Sequence, residues 1–198
     1  MARRNQNRKS RGRPLNGWLV IDKPAGKTSA GVVAEVKRLT DAAKAGHGGT
    51  LDPLATGILP IALGEATKTV PYLMERSKGY RFVVRWGEAR TTDDEEGDVT
   101  ETSAARPSVE QIEAGLPNFI GEIEQLPPAY SAIKVGGQRA YDLARKGQPV
   151  ELTPRLVQVN RFELTSCPDA DHAEFEVDCG KGTYVRALAR DLAVSLGT

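Results

Sequence analysis

The densest chemical signal in this chain is the run Gly46-His47-Gly48-Gly49-Thr50-Leu51-Asp52-Pro53-Leu54-Ala55-Thr56-Gly57. Asp52 is its one carboxylate and His47 its one imidazole. The glycines and the proline fix the backbone where other residues would strain, so both side chains sit on a shaped loop. A carboxylate held still in this way acts as a nucleophile or as a general base. The plainer reading is that Asp52-Pro53 opens a turn and the glycines serve only its geometry.

A second candidate is the segment after Pro127-Pro128, where Tyr130, Lys134, Arg139, Tyr141, Arg145 and Lys146 interleave. Cations and aromatic rings mixed in this way suit phosphate contact with base stacking. An exposed helix that packs its tyrosines on the core is the alternative.

Other chemistries fit poorly. The glycine-rich run lacks the G-x-x-x-x-G-K-[ST] spacing of a phosphate cradle, which excludes nucleotide hydrolysis. Cys167 and Cys179, with His47 and His172, make neither a disulfide framework nor a zinc site, so a reducing, cytoplasmic setting is expected. The acidic run from Asp93 to Asp98 has its glycine out of register for a calcium loop and is expected to be a solvated hairpin loop. No cofactor and no metal are expected. The formal charge of +1 conceals a segregation. Arg3, Arg4, Arg8, Lys9, Arg11 and Arg13 carry six positive charges, leaving the rest of the chain at −5. Any nucleic-acid site must then be a local basic patch. Residues 1–14 are expected to form a basic, disordered tail, either solubilising or touching RNA. Trp18-Leu19-Val20-Ile21 runs directly into Asp22, too short for a signal peptide or a membrane span. An Arg-rich targeting sequence is the other reading of the tail.

These residues need a frame. With 198 residues and 39% hydrophobic content, the chain suggests one domain, with room for a small insertion. Trp18–Ile21 reads as a buried strand. Val32, Val36, Leu39 and Ala43 recur at helical spacing behind the capping residues Thr28 and Ser29. Tyr80, Phe82, Val84 and Trp86 alternate as in a half-buried strand, and a second strand is expected after the acidic run. Ser108 to Leu116 reads as a short helix. Phe175, Val177 and Cys179 alternate with Glu174, Glu176 and Asp178. Gly180 and Gly182 then turn into a helix whose stripe is Val185, Leu188, Ala189, Leu192 and Leu196. Arg186 stands about 100° from Val185, at the border of that stripe. From position alone Tyr80 is a core residue, Lys23 a surface lysine, Arg186 a helix-border arginine and His47 a turn residue.

The Asp52 run, continuing through Ile58-Leu59-Pro60-Ile61-Ala62-Leu63-Gly64-Glu65-Ala66-Thr67-Lys68, resembles the signature of the TruB family of tRNA pseudouridine synthases. So do Asn16-Gly17, Asp22-Lys23-Pro24-Ala25-Gly26-Lys27-Thr28-Ser29, Lys78-Gly79-Tyr80-Arg81, Pro127-Pro128-Ala129-Tyr130-Ser131-Ala132-Ile133-Lys134 and Gly180-Lys181-Gly182-Thr183-Tyr184-Val185-Arg186, in that order. The resemblance covers residues 16–197.

It implies an α+β pseudouridine synthase fold over residues 15–198, a mixed, mainly antiparallel sheet flanked by helices, with an RNA-contacting insertion at Lys134, Arg139 and Arg145. It implies a cofactor-free isomerisation of a uridine in the T-loop of tRNA after the base is flipped out. Asp52 would be the catalytic aspartate, attacking sugar or base, and Arg186 its partner. Tyr80 would lie on the uracil and handle the C5 proton. Tyr184 and Lys23 would line the pocket, and His47 would touch the RNA. The expected partner is tRNA, with no membrane and no metal, and the expected state is a monomer. Family members usually continue through a further strand, a leucine-arginine segment and often a PUA-type domain, so the catalytic domain is expected to be C-terminally incomplete at Thr198. A non-catalytic RNA-binding or tRNA-folding module and a guide-RNA-dependent relative are the competing readings.

Overall fold

A computed structural model describes residues 12–198; the expected tail up to Arg11 lies outside the described residues. Arg13, inside that basic stretch, forms an isolated parallel bridge with Ala42. The chain divides into two compact units, the first ending at Arg76 and the second starting at Ser77.

In the first unit, β1 (Gly17–Lys23) is followed by α1 (Ser29–Thr40), β2 (Ala45–His47) and β3 (Gly57–Leu63). A 3-10 turn over Gly64–Thr69 then leads into the short α2 (Val70–Met74). The three strands form one antiparallel sheet in the order β1-β3-β2. Thr28 caps α1 by accepting the Gly31 N–H at 3.0 Å, a contact worth about 1 kcal/mol. The helix ends where Asp41 turns left-handed at φ 51°. Val32 and Val36 face inward against Leu59, Ile61 and Leu63.

Two expectations need correction here. The Trp18–Ile21 run is not buried on both faces: Leu19 and Ile21 pack on the core, while Trp18 is 39% and Val20 68% exposed. A strand apolar on both faces hides its alternation, so the sequence cannot tell one buried face from two. Leu39 is 67% exposed, outside the buried stripe of α1, and Ala43 lies beyond the helix.

The second unit contains, in order, β4 (Lys78–Arg85), the hairpin of β5 (Glu88–Arg90) and β6 (Val99–Thr102), α3 (Val109–Gly115) and β7 (Gly121–Gln125). Then come the small hairpin of β8 (Lys134–Val135) and β9 (Gln138–Arg139), α4 (Ala140–Ala144), the long β10 (Arg155–Asp169), β11 (His172–Cys179) and α5 (Val185–Ser195). Its main sheet is antiparallel throughout, in the order β4-β11-β10-β7. The fold class is therefore α+β.

Alternation decides which face of that sheet is wet. Val84, Trp86, Phe162, Phe175 and Val177 face a core closed by Ile112, Leu116, Leu188 and Leu192. Phe175 is the hub of that core, with Phe162 at 5.4 Å, Phe82 at 5.5 Å and Trp86 edge-on at 6.2 Å. Each such ring contributes on the order of 1.5–3 kcal/mol by leaving water. Cys179 ends the same inward row, and burial pushes its thiol pKa up. On the outer face Arg161 pairs with Asp178, Glu163 and Glu176, and Arg81 also pairs with Glu176. Ser108 caps α3 in a full capping box with Gln111.

The acidic run is also corrected. It joins β5 to β6 as expected, and Glu95, Glu96 and Asp98 are exposed, but the carboxylates of Asp93 and Asp94 are 17% and 11% exposed. Both turn back onto arginines of α5, which offset the cost of drying them.

Candidate functional site

Asp52 lies half-buried in the first unit, between two residues that are separately tied down. On one side, Leu51 exchanges two hydrogen bonds with the buried Ser29 at the start of α1. Its N–H donates to Oγ at 2.9 Å, and its carbonyl accepts from the hydroxyl at 3.0 Å. On the other side, the carbonyl of Pro53 accepts from the Gly26 N–H at 2.8 Å and from the Lys23 ammonium at 3.1 Å. Lys23 Nζ also donates to the carbonyls of Lys27 at 2.8 Å and Pro24 at 2.9 Å.

Lys23 is therefore not the surface lysine that position alone suggests. It is fully buried, and its three ammonium hydrogens meet three backbone carbonyls. It holds the Asp52 turn from beneath, with no hydrogen presented to a substrate. Burial pulls its pKa down, and the nearby Asp52 carboxylate pushes it back up. The Lys23-Pro24 and Asp52-Pro53 motifs, far apart in sequence, thus form one hydrogen-bonded object.

His47 closes β2 opposite Ile61, with its Nδ1 buried and lacking a hydrogen-bond partner among the described residues. The next residue is closely surrounded by side chains. A Cβ on Gly48 would fall 2.8 Å from Leu73 Cδ2 and 3.6 Å from both Pro60 and Trp18.

In the second unit Tyr80 stands near the start of β4, opposite Val177, its ring partly buried against the core. Tyr184 immediately precedes α5. Its N–H donates to Gln125 Oε1 at 2.8 Å, and its carbonyl accepts from Gln125 Nε2 at 3.1 Å. Gln125 is itself buried at the end of β7, so one amide fixes where α5 begins. Arg186, two residues on, has its side chain 13% exposed. It donates to the Thr92 carbonyl at 2.6 Å and the Tyr130 carbonyl at 3.0 Å, and meets Asp94 at 3.3 Å.

The basic-aromatic segment forms β8, β9 and α4, with Lys134, Arg139 and Arg145 exposed. The Arg139 and Arg145 guanidiniums lie 5.9 Å and 5.6 Å from the centre of the Tyr141 ring. These are cation–π contacts that group two positive charges around one ring.

Lys23, His47 and Asp52 thus belong to the first unit. Tyr80, Tyr184, Arg186, Lys134, Arg139 and Arg145 belong to the second. The sequence reading passes over Gln125 and Arg190, takes Asp93 and Asp94 only as part of a solvated loop, and takes Ser29 only as a cap. A signal for one of them exists, since Arg190 stands four residues after Arg186 and so shares its helix face. Gln125 carries none, because its partners are backbone atoms. Among the described residues no group of three or more His, Cys, Asp or Glu side chains could hold a metal ion. Nor is any helix among them long and apolar enough to cross a membrane.

Comparison with known proteins extends this picture. The N-terminal domain model of the TruB family of pseudouridylate synthases matches residues 37–185. The chain is 62% identical over 191 residues to tRNA pseudouridine synthase B of Gluconacetobacter diazotrophicus, covering 96% of this chain and 62% of that protein. It is 59% identical over 197 residues to the Brucella ovis protein of the same name, covering 100% of this chain and 60% of the other. The chain therefore spans about 60% of the length of these relatives. Among solved structures, a Cbf5-Nop10-Gar1 complex aligns with TM-score 0.68 and 32% identity, over 91% of this chain and 44% of that one. An H/ACA ribonucleoprotein bound to a substrate RNA containing 2'-deoxyuridine aligns with TM-score 0.66 and 26% identity, over 96% of this chain and 49% of the other.

Proposed function

The chain belongs to the TruB family of pseudouridylate synthases, and on that premise we propose that it carries out the conversion of a T-loop uridine of tRNA to pseudouridine, with Asp52 as the nucleophile. The observation that carries this reading is the double anchoring of the Asp52 turn. The Ser29–Leu51 exchange and the Lys23–Pro53 contact hold the backbone on both sides of Asp52 before any substrate arrives. Such preorganisation favours attack by a positioned group.

The chemistry suits one carboxylate. The bond between C1′ and N1 breaks, the uracil turns, C5 joins C1′, the C5 proton leaves and N1 takes up a proton, so the product is an isomer of the substrate. No electron or phosphoryl group is transferred. In this reading Asp52 adds to the sugar or to the base. Tyr80 faces the uracil and serves the departing C5 proton, and Arg186 is the guanidinium that favours a charged carboxylate during the reaction. Tyr184 lines the pocket, and His47 meets the RNA where the base leaves its stack. Lys134, Arg139 and Arg145 meet the backbone of the tRNA. Extruding the base costs a few kcal/mol of stacking, less from a loop that is already bent.

The identities to bacterial proteins named tRNA pseudouridine synthase B exceed those to the Cbf5 complexes, which favours a stand-alone enzyme acting on tRNA over a guide-RNA-dependent one.

The test is pseudouridine formation in an unmodified tRNA transcript, mapped to the nucleotide, by the protein as its gene encodes it and by its Asp52→Asn variant. The expected result is product in the T-loop from the parent alone, with tRNA affinity of the two within a few fold. Strong turnover by the variant removes Asp52 from the chemistry. Binding without product from the parent identifies a non-catalytic RNA binder.

A further inference from the structure

Arg186 and Arg190 stand one turn apart on α5, and each joins the helix to the same two strips of chain. Arg186 takes the Thr92 carbonyl, the Asp94 carboxylate and the Tyr130 carbonyl. Arg190 donates from Nη1 to Asp93 at 2.9 Å, from Nη2 to the Leu126 carbonyl at 2.7 Å and from Nε to Asp191 at 2.8 Å. The strips are residues 92–94, in the turn between β5 and β6, and residues 126–130, around the buried Pro127-Pro128. The turn holds an unusual conformation, with Asp93 left-handed at φ 56°. A non-glycine residue keeps that conformation where its surroundings determine it.

We propose that the Asp93–Arg190 ion pair is a positioning device for Arg186. By tying Asp93 to α5, it sets the neighbouring Thr92 carbonyl and Asp94 carboxylate so that the Arg186 guanidinium has one orientation. Arg190 acts through these groups and need not touch the RNA. The inference rests on the reading above in which Arg186 serves the reaction.

A role in stability alone explains the pair poorly. Burial pushes the Asp93 pKa up while Arg190 and Arg186 pull it down, and a buried ion pair is by itself weak evidence of net stabilisation. What it supplies is geometry. Arg190 satisfies Leu126 and Asp93 at once, which holds the two strips at the spacing that Arg186 also bridges.

The experiment measures kcat, KM for tRNA and thermal midpoint for Asp93→Asn, Arg190→Met and Arg190→Lys in the protein as its gene encodes it. Asp93→Asn and Arg190→Met are expected to lower kcat by about tenfold to a hundredfold, the scale of an ångström-sized misplacement, with KM within about twofold. Arg190→Lys, which keeps the charge, is expected to recover at least part of the lost kcat while the three thermal midpoints stay close together. Unchanged kcat in Asp93→Asn overturns the proposal. So does a loss of kcat that only follows the thermal midpoint and is not relieved by lysine. Asp52→Asn, run beside them, separates the two levels. Turnover surviving in Asp52→Asn removes the underlying reading, whereas turnover lost there but intact in Asp93→Asn removes this inference alone.

Discussion

At the scale of single residues, the most consequential group is Lys23. A fully buried ammonium is costly unless every hydrogen finds an acceptor, and here three carbonyls supply them. Removing the cation takes the shared donor from the Pro24 and Lys27 carbonyls and leaves Pro53 only the Gly26 N–H, while an apolar end is buried among them. Lys23→Met is expected to destabilise the fold by about 2–4 kcal/mol, read as a shift in denaturant midpoint at constant slope. A variant that unfolds at the parent's midpoint would mean the carbonyls find water instead. The residue is a lesson in reading sequences. A lysine before a proline is ordinarily solvated, and only the distant Pro53 carbonyl makes it a buried bolt, a contact between residues 23 and 53 that spacing cannot reveal. Asp52, by contrast, is a candidate that the sequence itself singles out, because glycines, a proline and a lone acid concentrate in one short run.

At the scale of elements, strands with one wet face were the most legible. The alternation of β4 and β11 marks their inward rows without ambiguity, from Tyr80 to Trp86 and from Phe175 to Cys179. β10 was not legible. Its pairing with β11 shifts register between Val159 and Arg161, and again between Leu164 and Ser166, so no single period runs through it. α1 illustrates a second gap. Its cap was readable, but not that Ser29, in its first turn, also holds Leu51. Ser29→Ala is expected to remove about 1–2 kcal/mol of stability, since it leaves a donor and an acceptor of Leu51 unmatched. It is also expected to lower turnover more than tRNA affinity, because the loosened residue adjoins Asp52. Equal losses in kcat/KM and affinity would show that the hydroxyl serves folding alone.

At the scale of the whole molecule, charge decides how the proposed RNA substrate would be met. With the basic stretch set aside, the chain is net negative, so attraction must come from local patches such as Arg139 and Arg145 beside Tyr141. Changing both arginines to Ala is expected to weaken tRNA binding and to reduce the slope of log K against log salt by about 1–2. An unchanged slope would remove this segment from the interface. The division between Arg76 and Ser77 left no mark in composition, since no Pro- or Gly-rich linker stands there. It emerges only from which residues touch, and it distributes the signature motifs over both units.

The amide of Gln125 has a consequence for how this protein can change over generations. It recognises residue 184 by an N–H and a C=O that every amino acid except proline carries, and so it is blind to the side chain there. The start of α5 is therefore fixed independently of what position 184 displays. Natural variation can change that side chain while the helix bearing Arg186 keeps its place, a separation of scaffold from display that leaves room for adaptation without refolding.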